Sequence, residues 1–251
     1  MDQVNVSWFV EDVSAHSAEV CIAGLPGVGH VGKLVVDHLV REFHAVKVAE
    51  ITSTLFPPQM YLGEGAVLRL PRNEIFFAEP AGGPAMLLLA GDCQSTTPEG
   101  HYILAQAYVK VLELLGVRKV YTLGGYGVGV MVEHPRVLSA LSHAGLKDVV
   151  TAAGAVLNRE EPVGGIIGAC GLLITLGREA GMEGAALLGE TSGYLVDPVS
   201  ATAVLDVVEK LVGFSVDRKD LQELSEQMMS EVSAIASSIQ KKNADDLNYI
   251  V

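Results

Sequence analysis

Hydrophobic residues along the chain fall alternately into short continuous runs and into helical spacings. An apolar run at 18–23 is followed by a helical pattern from about His30 to Phe43, and then by a β-branched run at 46–52. Continuous apolar runs indicate strands buried on both faces, whereas spacings of three and four indicate amphipathic helices. The alternation therefore predicts strand, helix and strand in turn, which is typical of a parallel sheet flanked by helices.

A segment from 55 to 84 interrupts this alternation, because prolines and glycines divide it into short runs. We expect a hairpin-like insert there. The alternation resumes afterwards, and the later apolar runs predict further strands. These runs lie at 85–90, 118–125, 149–156 and 185–190.

Three later helices are predicted from their ends, since each has a proline at its first position and a glycine just past its last. They span 98–116, 135–145 and 198–213. Thr97 and Asp197 are suitable N-caps for the first and the third of these helices. The glycine-rich apolar segment 164–180 is expected to form a further helix, buried on most sides.

Residues 1–213 are therefore predicted to form one α/β core domain, a three-layer α/β/α arrangement around a largely parallel mixed sheet. Residues 214–251 differ in character, because their apolar residues recur at spacings of three and four among charged ones. This pattern predicts a long amphipathic helix over 217–242, followed by a flexible tail. Acidic residues near its start and lysines near its end suit the helix dipole.

Composition narrows the possible partners and locations. The chain has 251 residues and a net charge of -13, which disfavours binding to nucleic acid or to anionic lipid. Its longest uncharged apolar run, 163–177, is too short and glycine-rich to span a membrane. The N-terminus lacks the basic start and small-residue cleavage site of a signal peptide, so we expect a cytoplasmic protein.

Cysteine and histidine usage gives no sign of a metal or a disulfide. The three cysteines, Cys21, Cys93 and Cys170, are isolated among apolar or small residues, as is typical of buried reduced thiols. The seven histidines show no spacing typical of a metal-binding motif. We therefore expect neither a metal nor a cofactor.

The stretch "GLPGVGHVGK" follows the first predicted strand and admits three interpretations. Its glycine spacing matches the dinucleotide-binding fingerprint, for which Glu50 at the next strand would bind the ribose, although Pro26 argues against it. It also matches a phosphate-binding P-loop up to Leu34, which replaces the hydroxyl that binds magnesium. The third interpretation, which the sequence favours, is that the glycines let strand and helix pack closely.

Polar side chains follow two predicted strands, at the edge where open α/β sheets bind their ligands. Asp92, Cys93 and His101 follow the strand at 85–90, and a Cys–His pair can act as a nucleophile. Other polar candidates in the two loops are Ser95, Glu99, Glu190 and Ser192. Turn formation and helix capping also account for these residues, and we favour that explanation.

Three blocks of sequence point to a family. They are "GLPGVGHVGKLVVDHL" at 24–39, "LLLAGDCQ" at 87–94 followed by "VYTLGGYGVG" at 120–129, and "GLLITLGREAGMEGAALLGETSGYLVDP" at 171–198. Together they resemble the proteasome assembly chaperone family in its archaeal form, the proteasome assembly chaperone 2 type. The resemblance implies a phosphorylase-like three-layer α/β fold, a homo-oligomer that binds the proteasome core particle or its α-subunits, and no catalytic turnover.

The same resemblance implies docking through a C-terminal tripeptide made of a hydrophobic residue, a tyrosine and any residue. In this chain the tyrosine is third from the end instead of second, because the chain ends Leu247, Asn248, Tyr249, Ile250, Val251. We expect these five residues to bind the partner, since tyrosine anchors suit desolvated interface pockets. The alternative is a tail that packs back on its own domain.

The sequence thus predicts a non-enzymatic chaperone that binds proteasome α-subunits or the core particle. Two alternatives stay open. One is a small-molecule enzyme on a nucleoside-phosphorylase-like fold that uses the glycine loop with Asp92 and His101. The other is a structural homo-oligomer without a link to the proteasome.

Overall fold

The computed structural model describes residues 3–158, 160 and 164–227. Within them, strand, helix and strand follow one another over 20–53 and over 86–127, as the hydrophobic pattern predicts, whereas five strands follow one another between 46 and 91. The strands are β1 (Val4–Trp8), β2 (Val20–Ala23), β3 (Val46–Ser53), β4 (Tyr61–Leu62), β5 (Leu68–Arg69), β6 (Asn73–Ala78), β7 (Met86–Gly91), β8 (Lys119–Gly127), β9 (Val137–Leu141) and β10 (Glu183–Thr191). The helices are α1 (Val31–Glu42), α2 (Pro98–Leu114), α3 (Lys147–Ala152), α4 (Ala169–Glu179) and α5 (Pro198–Val212).

One mixed sheet forms the middle layer, with eight strands among the described residues in the order β1-β3-β6-β7-β2-β8-β10-β9. The four central strands, β7, β2, β8 and β10, are mutually parallel. The outer pairings are antiparallel, so five of the eight strands run in the same direction. Strands β4 and β5 form a separate hairpin in the predicted insert. The predicted fold class is confirmed.

Helices cover both faces of the sheet and so complete the three layers. Helices α2 and α4 pack on one face, and α1 and α5 pack on the other. Alternate strand residues point to the two cores; Cys21 lies in the core under α2, and its neighbour Ile22 lies in the core under α1. None of the three cysteines is in a disulfide, as predicted.

Both predicted N-caps are confirmed. The Thr97 hydroxyl accepts a hydrogen bond from the Gly100 amide at 3.1 Å, at the start of α2. The Asp197 carboxylate accepts one from the Ser200 amide at 2.9 Å, at the start of α5. Each bond satisfies an amide that the first helical turn leaves without an intrahelical acceptor.

Three predicted elements differ from the structure and one strand was missed. The segment 55–84 was expected to be a hairpin-like insert, yet its last strand, β6, pairs with β3 and β7 in the main sheet. Residues 135–145 were expected to be helical, yet they contain β9, because this segment pairs antiparallel with β10. The segment 149–156 was expected to be a strand, yet its first part belongs to α3, where only Val150 is buried in the core. Strand β1 was not predicted; it pairs with β3 at the sheet edge.

The C-terminal segment packs on the α1 and α5 side of the body. Gly213 ends α5 with a left-handed backbone, φ 84°. The Phe214 ring then packs edge to face on the Phe43 ring, with 5.5 Å between the ring centroids. Leu221 is buried in the core under α1 and α5. Residues 219–227 are helical, in agreement with the predicted helix, and the rest of that helix lies outside the described residues. Within the described part of the chain, no helix is long and apolar enough to cross a membrane.

Candidate partner-binding surface

The carboxyl ends of the parallel strands meet at one edge of the sheet, which we call the carboxyl end. A cleft of about 540 Å³ opens there between the loops that follow β2 and β8 and the start of α4. Open α/β folds bind ligands in this position. Its lining is mostly backbone and apolar side chains, including Leu25, Leu123, Ile166, Ile167 and Leu188, with His101 as its titratable imidazole.

Gln94 fixes the loops around this cleft. Its side-chain Nε2 donates to the Pro26 carbonyl oxygen at 2.7 Å, and its Oε1 accepts from the Ala169 amide at 2.9 Å. One side chain from the loop after β7 therefore connects the loop after β2 to the first residue of α4. The sequence contained no local sign of this role, because the two bonded residues are distant along the chain.

The glycine stretch serves close packing, as the third interpretation proposed. A Cβ atom on Gly32 would collide with the Leu123 carbonyl of β8, so α1 approaches the sheet as only glycine permits. The Lys33 ammonium, which a P-loop would place on phosphate, is 2.7 Å from the Asp37 carboxylate. The Glu50 carboxylate, the predicted ribose ligand, is paired with Lys47 and Arg72. Neither nucleotide motif is assembled.

Asp92 is part of a structural ion pair with the β4–β5 hairpin. Both of its carboxylate oxygens accept from the Arg69 guanidinium, and one also accepts from the Arg72 amide at 3.0 Å. Burial acts to raise the pKa of Asp92, but the hydrogen bonds from Arg69 and Arg72 outweigh it, so the pKa is lowered. Asp92 is therefore a charged partner of the hairpin, not a candidate general base.

Cys93 and His101 do not form an activated pair. Burial, followed by the nearby Asp92 carboxylate, raises the pKa of the Cys93 thiol to about 11, so the thiolate is scarce at neutral pH. Burial also lowers the pKa of His101. Ser95 donates to the Leu55 carbonyl at 3.1 Å and accepts from the Thr97 amide, which is a turn-forming role. Only His101 of these candidates lines the cleft within the described residues.

Glu190 is held in a second ion pair. Its carboxylate accepts from the Arg136 Nε at 2.9 Å, from the Arg136 amide at 3.0 Å and from the same guanidinium's Nη2. The Arg136 side chain lowers the pKa of Glu190 more than its burial raises it. The two acids that the sequence proposed for catalysis are thus neutralised by arginines, an arrangement that stabilises the loops.

Exposed apolar residues occupy the loops at the carboxyl end of the sheet and the segment before α4, and we call this set the carboxyl-end rim. The loops after β2, β8 and β10 converge here, since the Val128 amide donates to the Thr191 carbonyl and the Asp197 amide to the Gly29 carbonyl. Ile167 and Tyr194 are 87% and 80% exposed. Clustered exposed apolar residues mark interaction sites. The rim comprises Val28, Val130, Met131, Ile167, Tyr194, Leu195 and Val196.

The last described residues of the C-terminal segment lie near this rim. The predicted partner-binding residues 247–251 lie outside the described residues. Ser225 and Glu226, in the helical stretch 219–227, border the same depression as Pro135 and as Val199, which lies at the start of α5. Because α5 begins directly after the rim residues 194–196, this part of the segment lies at the carboxyl end of the body.

Comparison with known proteins places this architecture in a family. The model of the PAC2 family matches residues 21–236. An uncharacterized protein of Methanocaldococcus jannaschii is 33% identical over 250 residues, covering 96% of this chain and 95% of that protein.

Solved structures of proteasome-related archaeal proteins are similar to this chain over nearly its whole length. PbaB of Pyrococcus furiosus, an archaeal proteasome activator, has a TM-score of 0.87 and 31% identity, over 94% of this chain and 100% of that chain. PbaA of Pyrococcus furiosus, an archaeal homolog of proteasome-assembly chaperone, has a TM-score of 0.77 and 23% identity, over 97% and 96% of the two chains, and shows the shared fold. The chain therefore belongs to the PAC2 family.

Proposed function

We propose that this protein is a cytoplasmic, non-enzymatic chaperone that binds proteasome α-subunits or the core particle and assists or regulates proteasome assembly. The observation that carries the proposal is the similarity to the proteasome activator PbaB, which extends over nearly the whole chain at 31% identity. The family model itself matches residues 21–236, a range that includes the loops at the carboxyl end and the start of the C-terminal segment.

The chemistry of the carboxyl end supports a binding role over a catalytic one. The carboxylates of Asp92 and Glu190 are occupied by arginines, and the Cys93 thiol is protonated at neutral pH. A general acid or base needs a pKa near the working pH and access to a substrate. The exposed side chains around the cleft are instead apolar, as in a surface that binds another protein.

The C-terminal tail is the proposed docking element. Residues 247–251 combine a tyrosine with three aliphatic residues and one asparagine, a composition suited to an interface pocket. The last described residues of the segment lie beside the start of α5, which directly follows the rim residues 194–196, so we expect tail and rim to contact one partner surface together. In a homo-oligomer several weak tails act at high effective concentration, which gives avidity and still permits release.

Deletion of residues 248–251 tests the docking element. We expect a pull-down titration against α-subunits to show binding weakened at least about tenfold, or about 1.4 kcal/mol, with the fold and oligomeric state unchanged. Tyr249→Ala should account for much of this loss. Asn243→Ala, in the same segment, is the matched control and should bind normally. Unchanged binding after the deletion would exclude the tail as the docking element.

A further inference from the structure

A polar cluster lies at the seam between α1 and the C-terminal segment, on the opposite side of the sheet from α2 and α4. His38 and Glu42 are one helical turn apart on α1, and Asp220 comes from the C-terminal segment. The imidazole and the two carboxylates each offer a ligand atom, and these atoms lie within 4.8 Å of one another. Three side chains of two types that bind divalent metals, one imidazole and two carboxylates, therefore lie close together across the seam.

The protonation of His38 is set by the C-terminal segment. His38 is fully buried, and its Nε2 lies 2.6 Å from the Asp217 carbonyl oxygen. A carbonyl oxygen only accepts, so Nε2 carries the hydrogen and Nδ1 keeps a lone pair. Nδ1 is itself buried and has no hydrogen-bond partner among the described residues. Metal-binding histidines have this arrangement, in which the second ring nitrogen donates to a carbonyl or carboxylate.

The charges of the cluster are only partly balanced within the described residues. In the described part of the chain, no cation lies within ion-pair distance of Glu42, and Asp220 has only the exposed Arg41, with its Nε at 3.9 Å. The neighbouring cations of the segment are directed elsewhere. Arg218 pairs with Asp206 and Glu209, and Lys219 pairs with Glu223. Two carboxylates and an imidazole nitrogen thus lie within 4.8 Å of one another, where a cation would be stabilised.

We propose that His38, Glu42 and Asp220 bind one divalent transition-metal ion of the Zn²⁺ class. One imidazole and two carboxylates are a ligand set that zinc accepts, with water completing a four-coordinate site. At metal–ligand distances of about 2.1 Å the ligand atoms of one ion lie about 3.4 Å apart. Rotation of the partly exposed Glu42 and Asp220 side chains closes the remaining gap.

The bound ion would join α1 to the C-terminal segment. Asp217 orients the imidazole and Asp220 supplies a ligand, so both contributions of the segment come from the start of its helix. The ion would therefore hold the described start of the segment, 217–227, against α1. This inference does not depend on the proposed function, because it concerns the body and the segment of a single chain.

Zinc binding by the full-length protein, stripped of metal with a chelator, tests the site. We expect titration calorimetry with Zn²⁺ to show one saturable site per chain, and native mass spectrometry to show one added zinc. Asp220→Asn should weaken this binding by more than about 100-fold, because losing a direct ligand costs more than losing an outer-shell partner. Glu223→Gln removes the same charge from the same helix and should bind zinc as the wild type does.

Two results would overturn the assignment. One is the absence of a saturable site in the wild-type protein. The other is equal zinc affinity in Asp220→Asn and Glu223→Gln, which would mean that zinc binds elsewhere on this acidic surface. Because Asp220 is exposed, its substitution does not disturb the core, and circular dichroism on both variants checks that the fold is retained.

Discussion

Two groups of carboxylates in this molecule contrast in how their charge is neutralised. At the carboxyl end of the sheet, Asp92 and Glu190 each accept several hydrogen bonds from an arginine. At the seam with the C-terminal segment, Glu42 and Asp220 lie beside the buried His38, and in the described part of the chain only Arg41 pairs with either carboxylate. The charge of the first group is neutralised by arginines of the same chain. In our proposal, the charge of the second group is neutralised by a bound cation.

The contrast shows that the usual location of an α/β active site is not where this chain has groups free to bind a ligand. The carboxyl end is where α/β enzymes bind substrates, and it holds the acids that the sequence offered as catalytic candidates. Ion pairs with arginines give Asp92 and Glu190 a structural role in stabilising the loops. The exposed side chains around these loops are apolar. The groups with unused ligand capacity lie instead beside the C-terminal segment, next to the chain that we propose binds the partner.

The largest effect is expected where α1 meets the sheet. Gly32→Ala would place a Cβ against the Leu123 carbonyl, and neither backbone can move easily. We expect a loss of about 3 kcal/mol or more in the free energy of unfolding, measured by chemical denaturation. In Gly27→Ala the new Cβ would be 3.9 Å from the nearest atom, the Gln94 Nε2, so this variant is the control.

This pair of glycines also distinguishes packing from phosphate binding. Gly27 is the first glycine of the nucleotide-type spacing, and a phosphate-binding turn would need it. Packing alone predicts that Gly27→Ala changes stability by less than about 0.5 kcal/mol, as at most surface positions. Equal destabilisation by both variants would contradict the packing account of the loop.

A smaller effect is expected from the ion pair at Glu190. Arg136→Ala leaves the Glu190 carboxylate, whose residue is 7% exposed, without its guanidinium. We expect thermal and chemical denaturation to show a loss of about 1 to 2 kcal/mol, since the arginine is itself half exposed and partly screened. Arg178→Ala, at an exposed arginine of α4, should be nearly neutral. A stability loss no greater than that of Arg178→Ala would mean that Glu190 is not held by this pair.

The smallest effect is expected from small molecules at the carboxyl end. We expect nucleotides, nucleosides and inorganic phosphate to leave the melting temperature unchanged in a thermal shift screen. A true ligand at about 100 times its dissociation constant would add about 2.7 kcal/mol. A saturable shift that disappears on His101→Ala would support the enzyme alternative, because His101 lines the cleft.

Local signals predicted most of the fold. Continuous apolar runs and capped helix ends located the central strands and α1, α2, α4 and α5, because these signals act within a few residues. The errors concern elements whose structure depends on distant partners. The segment at 135–145 has helix-like ends but pairs with β10, and β1 exists through its pairing with β3.

The candidate site was less predictable for the same reason. The sequence identified Asp92 and Glu190 as candidates but not Arg69 and Arg136, which neutralise them from other segments. Gln94 and the seam cluster likewise join residues that are far apart along the chain, so no motif spacing indicates them. The predicted tail at 247–251 lies outside the described residues and stays a prediction.

The most direct test of the central claim is a native mass measurement of this protein co-expressed with proteasome α-subunits. We predict assemblies whose mass contains both this chain and α-subunits in whole-number ratios, and their loss when residues 248–251 are deleted. Separate masses for this protein and for the α-subunits, at all concentrations and with the intact tail, would contradict the proposed function.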